Sequence, residues 1–160
     1  MASEVDASFS AFVAARSRHL LHAAHLLTGD RHRAEDLLQT ALTRAYLRWD
    51  RIDEPEGYVR RTMVNAHTDW WRKKPWREQS TAAVPDLPAP DPASYEVRDA
   101  VLSALATLSG RQRAVVVLRY YEGLSEAEIA ATLGCSAGTV KSAASRAMAK
   151  LRVHPGLGLS

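Results

Sequence analysis

Residues 125 to 152 read SEAEIAATLGCSAGTVKSAASRAMAKLR, and their punctuation decides the fold. Ser125 with Glu128 three residues on is a capping box that opens a short helix. That helix runs to Leu133, and Gly134 stops it where a positive φ is wanted. Ser136 caps a longer helix that reaches about Arg152. Helix, three-residue turn and longer helix is the order and size of a helix-turn-helix. Ala130 is small where the two helices must approach, and Val140 anchors the second helix to the core. The second helix buries Val140, Ala144, Ala147, Met148 and Leu151, which turns Thr139, Lys141, Ser142, Ser145, Arg146 and Lys150 outward. Residues 134 to 152 hold four bases and no acid. Such a helix suits a major groove, with early residues at base edges and later cations at phosphates. A helical hairpin with a merely solvated basic face is the bland alternative. Cys135 fills the turn, where a small residue is needed, and nothing adjacent would form and hold a thiolate.

Working outward, Ser109 with Gln112 repeats the capping box and opens a helix through Tyr121, and Val97, Val101, Leu105 and Leu108 mark one helix before it. Five of the seven prolines (Pro75, Pro85, Pro88, Pro90, Pro92) then interrupt all periodicity. Missing backbone donors disfavour both helix and sheet there, so residues 75–94 read as an extended linker. It separates a first domain, 1–74, from a second, 95–160.

In the first domain Phe9, Phe12, Val13, Leu20, Ala24 and Leu27 form one helical stripe, and Gly29 follows as a stop. Asp30 caps a second helix with the stripe Ala34, Leu37, Leu38, Ala41, Leu42, Ala45 and Trp49. After a polar turn from Asp50 to Glu54, Pro55 suits the first turn of a third helix with the apolar face Tyr58, Val59, Met63, Ala66 and Trp70. Lys74, before Pro75, ends it.

Composition agrees. Across 160 residues, 27 Ala and 18 Leu stand against 12 Val and 2 Ile, a balance that favours helices, and the expected class is all-α. The single cysteine excludes an internal disulfide framework and any zinc site needing two cysteines of one chain, and fits a reducing compartment. The amino terminus, MASEVDASFS, has two acids and no apolar core, so no secretory signal or membrane span fits. The net charge of +3 is unevenly spread. Residues 1–74 carry 12 bases and 10 acids, 75–94 one base and three acids, and 95–160 eight bases and five acids.

The third helix reads GYVRRTMVNAHTDWWRKKPWR. From Gly57 to Arg77 it has six bases and one acid, interleaved with Trp70, Trp71 and Trp76. Cations suit a phosphate backbone and exposed aromatics suit unstacked bases, a pairing that fits melted DNA better than an intact duplex. Trp70 reads as core.

This order of parts resembles the extracytoplasmic-function group of bacterial sigma factors, the small subunits that give RNA polymerase its promoter specificity. DRHRAEDLLQTALTRAYLRW looks like their region 2.1 to 2.2 helix, RRTMVNAHTDWWRKK like region 2.3 to 2.4, and the final fifty residues like region 4. The resemblance implies that Glu35, Asp36 and Gln39 dock on clamp helices of core RNA polymerase. Asn65 would meet the minus-10 element of promoter DNA, with Arg60, Arg61, Trp71, Arg72 and Lys73 holding the strand, and the loop from Asp50 to Glu56 would capture a flipped-out base. Thr139, Lys141, Ser142, Ser145 and Arg146 would read the minus-35 element. The net-negative linker would thread the RNA channel. No catalytic centre, metal or cofactor is expected, and the location implied is cytoplasmic and nucleoid-associated. An anti-sigma factor would cover the polymerase-docking face and wedge between the domains. The sequence departs from the family at Ala143, where many members have Arg, at Tyr58, near which many have Trp, and at Leu42, where an aromatic is common. It also ends eight residues past Arg152, so the added regulatory carboxy-terminal domain of some members is not expected.

Two other readings stay open. A stand-alone helix-turn-helix regulator accounts for the second domain but not for the basic aromatic helix. A metal-dependent enzyme using His19, His22, His25 and His32 meets a geometric obstacle: steps of three residues turn successive side chains by about 300° each, so His19 and His25 diverge.

Overall fold

The computed structural model describes residues 3–72 and 92–157, apart from the side chains of residues 71, 72 and 92–98. The described residues form seven α-helices and no strand: α1 (Glu4–Thr28), α2 (Arg31–Leu47), α3 (Pro55–Arg72), α4 (Pro92–Leu105), α5 (Gly110–Val116), α6 (Glu126–Leu133) and α7 (Ala137–Arg152). The all-α expectation holds. The chain divides into two compact units, residues 1–67 and 68–160.

In the first unit each helix end is fixed by a local device. Ser3 and Asp6 make a capping box at the start of α1, with the Asp6 amide donating to Ser3 Oγ at 3.1 Å. Gly29 adopts a left-handed φ of 72° and its amide donates to the His25 carbonyl, closing α1 as expected. Asp30 then accepts from the amides of His32 and Arg33 at 2.9 and 3.2 Å. The buried stripe of α2 is Ala34, Leu38, Ala41, Leu42 and Ala45. Its alanines allow α1 to approach through Leu20 and Ala24, and Val59 and Met63 of α3 complete the core. Beyond α2, Trp49 sits in a short 3₁₀ turn, Trp49–Arg51. Phe9 stands edge-on to both Trp49 and Tyr46, at 5.2 and 5.1 Å between centroids. Such pairs add to simple area burial.

The face of α3 is turned from the expected one. Val59, Met63, Val64 and His67 are buried, while Tyr58, Ala66 and Trp70 are only half-buried. A histidine can occupy the buried side because the Arg33 guanidinium lies 3.1 Å from its Nδ1. Arginine has no acceptor, so Arg33 donates and His67 carries its ring proton on Nε2. The end of α3 assigned to Lys74, and the linker up to residue 91, lie outside the described residues.

In the second unit α4 starts at Pro92, inside the stretch read as linker. Proline suits a first helical position, where its missing amide costs nothing. The helix also stops earlier than expected, at Leu105. Thr107 and Leu108 donate to the Ala104 and Leu105 carbonyls, a tightened last turn that leaves Leu108 buried beyond the helix. Ser109 and Gln112 form their capping box as anticipated. The helix continues past Val116 as a π-helical turn, Val117–Tyr121, closed by the Glu122 amide on the Val117 carbonyl at 3.1 Å.

The helix-turn-helix is α6 and α7. Ser125 and Glu128 reciprocate at 3.1 and 2.8 Å, and Ser136 Oγ accepts from the Thr139 amide at 3.1 Å. Ile129 and Val140 are fully buried. Gly134 has φ 69°, and a Cβ there would meet nothing within 4 Å, so only backbone strain opposes a side chain. Gly134→Ala is therefore expected to lower stability by about 1–2 kcal/mol, read from urea denaturation, without altering helix content.

Candidate nucleic-acid interface

Helix α7 presents Lys141, Ser142, Ser145 and Arg146 as exposed residues, with Lys150 one turn on. Thr139 is half-buried, because its hydroxyl lies 2.9 Å from Ser136 Oγ at the cap. The buried face is Val140, Ala143, Ala144, Ala147 and Leu151. Met148, expected inside, is half-buried, and Ala143 takes a buried place instead. A long arginine at that position would have to leave the core, so the departure at Ala143 narrows the polar strip to the five residues named from the sequence.

On α2, Glu35, Asp36 and Gln39 are all exposed on the first turns after the Asp30 cap. Asp36 and Gln39 are three residues apart and share a face, while Glu35 turns toward His32, 3.9 Å away.

On α3, Arg61 and Asn65 are exposed and one turn apart. Arg60 is different: its side chain is only 16% exposed and its guanidinium reaches Glu56 at 3.5 Å. Glu56 also receives two 2.7 Å hydrogen bonds from Arg16, forty residues earlier on α1. The hydrogen bonds from Arg16 hold the Glu56 carboxyl below its ordinary value of 4.5. The charges of Arg16, Arg60 and His19 add to the effect, and burial opposes it. A lowered folded value means that this stabilisation is complete above the ordinary glutamate range and is lost as pH falls through the folded value. Denaturation midpoints across pH 6 to 3 should therefore fall more steeply for the wild type than for Arg16→Met. Trp71 and Arg72 belong to α3, but their side chains, and Lys73 entirely, lie outside the described residues.

Between the loop and the start of α3 lies a cavity of about 350 Å³ lined by Arg48, Arg51, Ile52, Asp53, Glu54, Gly57, Tyr58 and Arg61. Arg51 belongs to the loop expected to capture a flipped-out base, whereas Arg48 and Tyr58 are not among the expected site residues; the signal for Arg48 is the RWDR run around Trp49. The four histidines do not gather: no three of His19, His22, His25 and His32 bring ligand atoms together among the described residues. No helix of the described residues is long and apolar enough to cross a membrane.

Family comparisons cover both units. Residues 12–77 match the model of sigma-70 region 2, and residues 98–151 match that of sigma-70, region 4. The RNA polymerase sigma-E factor of Streptomyces coelicolor is 44% identical over 148 residues, spanning 90% of this chain and 84% of that protein. The ECF RNA polymerase sigma factor SigL of Mycobacterium tuberculosis is 34% identical over 136 residues, 79% of this chain and 77% of SigL. Among solved structures, the sigma factor RpoE of Bartonella quintana, in complex with the anti-sigma factor NepR, superposes with a TM-score of 0.75 at 27% identity over 94% of this chain and 98% of RpoE. Region 2 and region 4 in order, on a chain whose described elements are all helical and which is similar along most of its length to named members, establish that this chain belongs to the extracytoplasmic-function sigma factors of RNA polymerase.

Proposed function

We propose that the protein, as a sigma factor directing transcription initiation, does so by three divided contacts. Asp36 and Gln39, with Glu35 at the edge, dock on core RNA polymerase: an acidic helix face suits a basic helical partner. Thr139, Lys141, Ser142, Ser145 and Arg146 read the minus-35 element from the major groove. Asn65 meets the unpaired minus-10 strand, Arg61 and, further along α3, Trp71, Arg72 and Lys73 hold its backbone and bases, and the cavity beside Tyr58 accepts a flipped base. Arg60 stands behind this surface and supports it through Glu56. The work is done by binding energy alone, without a catalytic centre, in the bacterial cytoplasm. By likeness to RpoE of Bartonella quintana, an anti-sigma factor is the further partner.

The observation that carries this reading is the face of α7: a doubly capped helix-turn-helix whose exposed strip has cations and hydroxyls and no carboxylate. The test is permanganate reactivity of unpaired thymines on a promoter bound by core polymerase and this protein. Reactivity should appear at the minus-10 element and fall about tenfold for Asn65→Ala, the loss of roughly one polar contact to an unstacked base. Unchanged reactivity in that variant would remove Asn65 from the strand-holding set.

A further inference from the structure

Helix α3 is held within the first unit by a polar contact toward each end. At its start Glu56 receives the Arg16 guanidinium of α1 as a fork, two hydrogen bonds of 2.7 Å. Further along, His67 is buried and is the last residue of that unit, and its Nδ1 accepts from the Arg33 guanidinium of α2 at 3.1 Å. Glu56 and His67 are eleven residues apart, about three helical turns plus 20°, so the two contacts fall on nearly one line along the helix. Met63 lies between them on the same line, about 20° to its other side. Asn65 stands about 180° from Glu56 and Arg61 about 140° from it, and both are exposed.

Two kinds of contact share this line. Met63 holds the middle of α3 in the core with Leu20, Leu38 and Ala41. A methionine is unbranched and adaptable, and apolar contact carries no direction, so packing alone leaves a helix some freedom to twist toward its ends. A guanidinium fork on a carboxylate and an N–H donor on an imidazole nitrogen are directional, and a twist breaks them. Magnitudes decide whether that freedom matters. On a helix whose side chains reach about 5–6 Å from the axis, a twist of about 20° carries the Asn65 side chain about 2 Å. That exceeds the latitude of a hydrogen bond, about 0.5 Å in donor–acceptor distance.

We propose that Arg16 and Arg33 are positioning residues for promoter opening: through Glu56 and His67 they fix the rotation of α3 at which Arg61 and Asn65 meet the unpaired minus-10 strand. Neither arginine touches DNA in this role. The inference rests on the reading of Asn65 as a strand contact. It gives a task to a buried histidine and two partly buried arginines that neither polymerase docking nor base reading uses.

The experiment reads permanganate reactivity at the minus-10 element with holoenzyme, the full chain with core polymerase, carrying Arg16→Met or Arg33→Met, each alone and combined with Asn65→Ala. Each single variant should lower reactivity about fivefold, the loss of a directional contact to a charged group. Asn65→Ala alone should lower it about tenfold. Each double variant should reach only about fifteenfold, because an Asn65 already turned aside has little left to lose. The full product, about fiftyfold, would show that the arginines act independently of Asn65 and would overturn the proposal. Assembly with core polymerase, measured on the same samples, reports whether the unit still folds; its loss in either single variant would make the contacts general supports of the fold and overturn the proposal as well. Arg16→Lys keeps the charge beside Glu56 but not the fork, and should recover only part of the lost reactivity. Full recovery would mean that Glu56 needs charge and not direction, against the proposal. Wild-type reactivity in Asn65→Ala alone would overturn the strand-contact reading, and this proposal with it.

Discussion

Charge reversal at Asp36, Asp36→Arg, is expected to weaken assembly with core polymerase by about 100-fold, because a like-charge contact would replace an attractive one at the centre of the proposed docking face. The residue is exposed on α2 and its side chain takes no part in the Asp30 cap, so the variant should unfold at the same temperature as the wild type. Glu35→Arg is expected to cost less, about threefold, since Glu35 lies toward His32 and off the Asp36–Gln39 line. Competition for core polymerase against a labelled wild-type chain measures both. Equal losses at the two positions would mean that general charge, and not the Asp36 face, governs docking.

The largest effect on stability is expected at Met63. Its side chain is fully buried among Leu20, Leu38, Ala41 and Val59, and Met63→Ala removes three heavy atoms from a site walled by three helices. The cost is about 3 kcal/mol, a large part of what a unit of this size possesses. The functional consequence follows from position. Met63 fixes the rotation of α3, and Arg61 and Asn65 stand on the opposite side of the same turn. Met63→Ala should therefore reduce promoter opening more than Asn65→Ala does, although it touches no DNA. Met63→Leu, nearly isosteric, should recover most of both losses. Urea denaturation and permanganate reactivity on the same samples separate the two effects. Opening at wild-type level in a destabilised Met63→Ala chain would show that the α3 core does not set the site.

How much of this was legible in the sequence depends on distance along the chain. The boxes at Ser109 and Ser125, the Asp30 cap and the turns at Gly29 and Gly134 are arrangements among residues two to five apart, and all could be read directly. The stripe of α2 was legible for the same reason. The Ser3 and Asp6 box was equally local and was overlooked, since an amino terminus with two acids reads first as the absence of a signal peptide. Contacts between distant segments were not legible. Arg60 carried every mark of a strand-holding cation; its partner Glu56 is only one helical turn back, but the fold alone brings Arg16 to the same carboxylate. The burial of His67 depends on Arg33, thirty-four residues away. The π-helical turn at Val117–Tyr121 has no sequence signature of its own, and Val117 and Leu118 within it are buried.

The central claim is that this chain confers promoter specificity on core polymerase rather than acting on duplex DNA alone. Multi-round transcription in vitro tests it most directly, with purified core polymerase, a genomic fragment library and this chain. The account predicts discrete transcripts that require the chain, start at shared minus-35 and minus-10 elements, and vanish with Asp36→Arg. An absence of chain-dependent transcripts, together with tight sequence-specific binding to duplex DNA without polymerase, would contradict it and leave a stand-alone helix-turn-helix regulator.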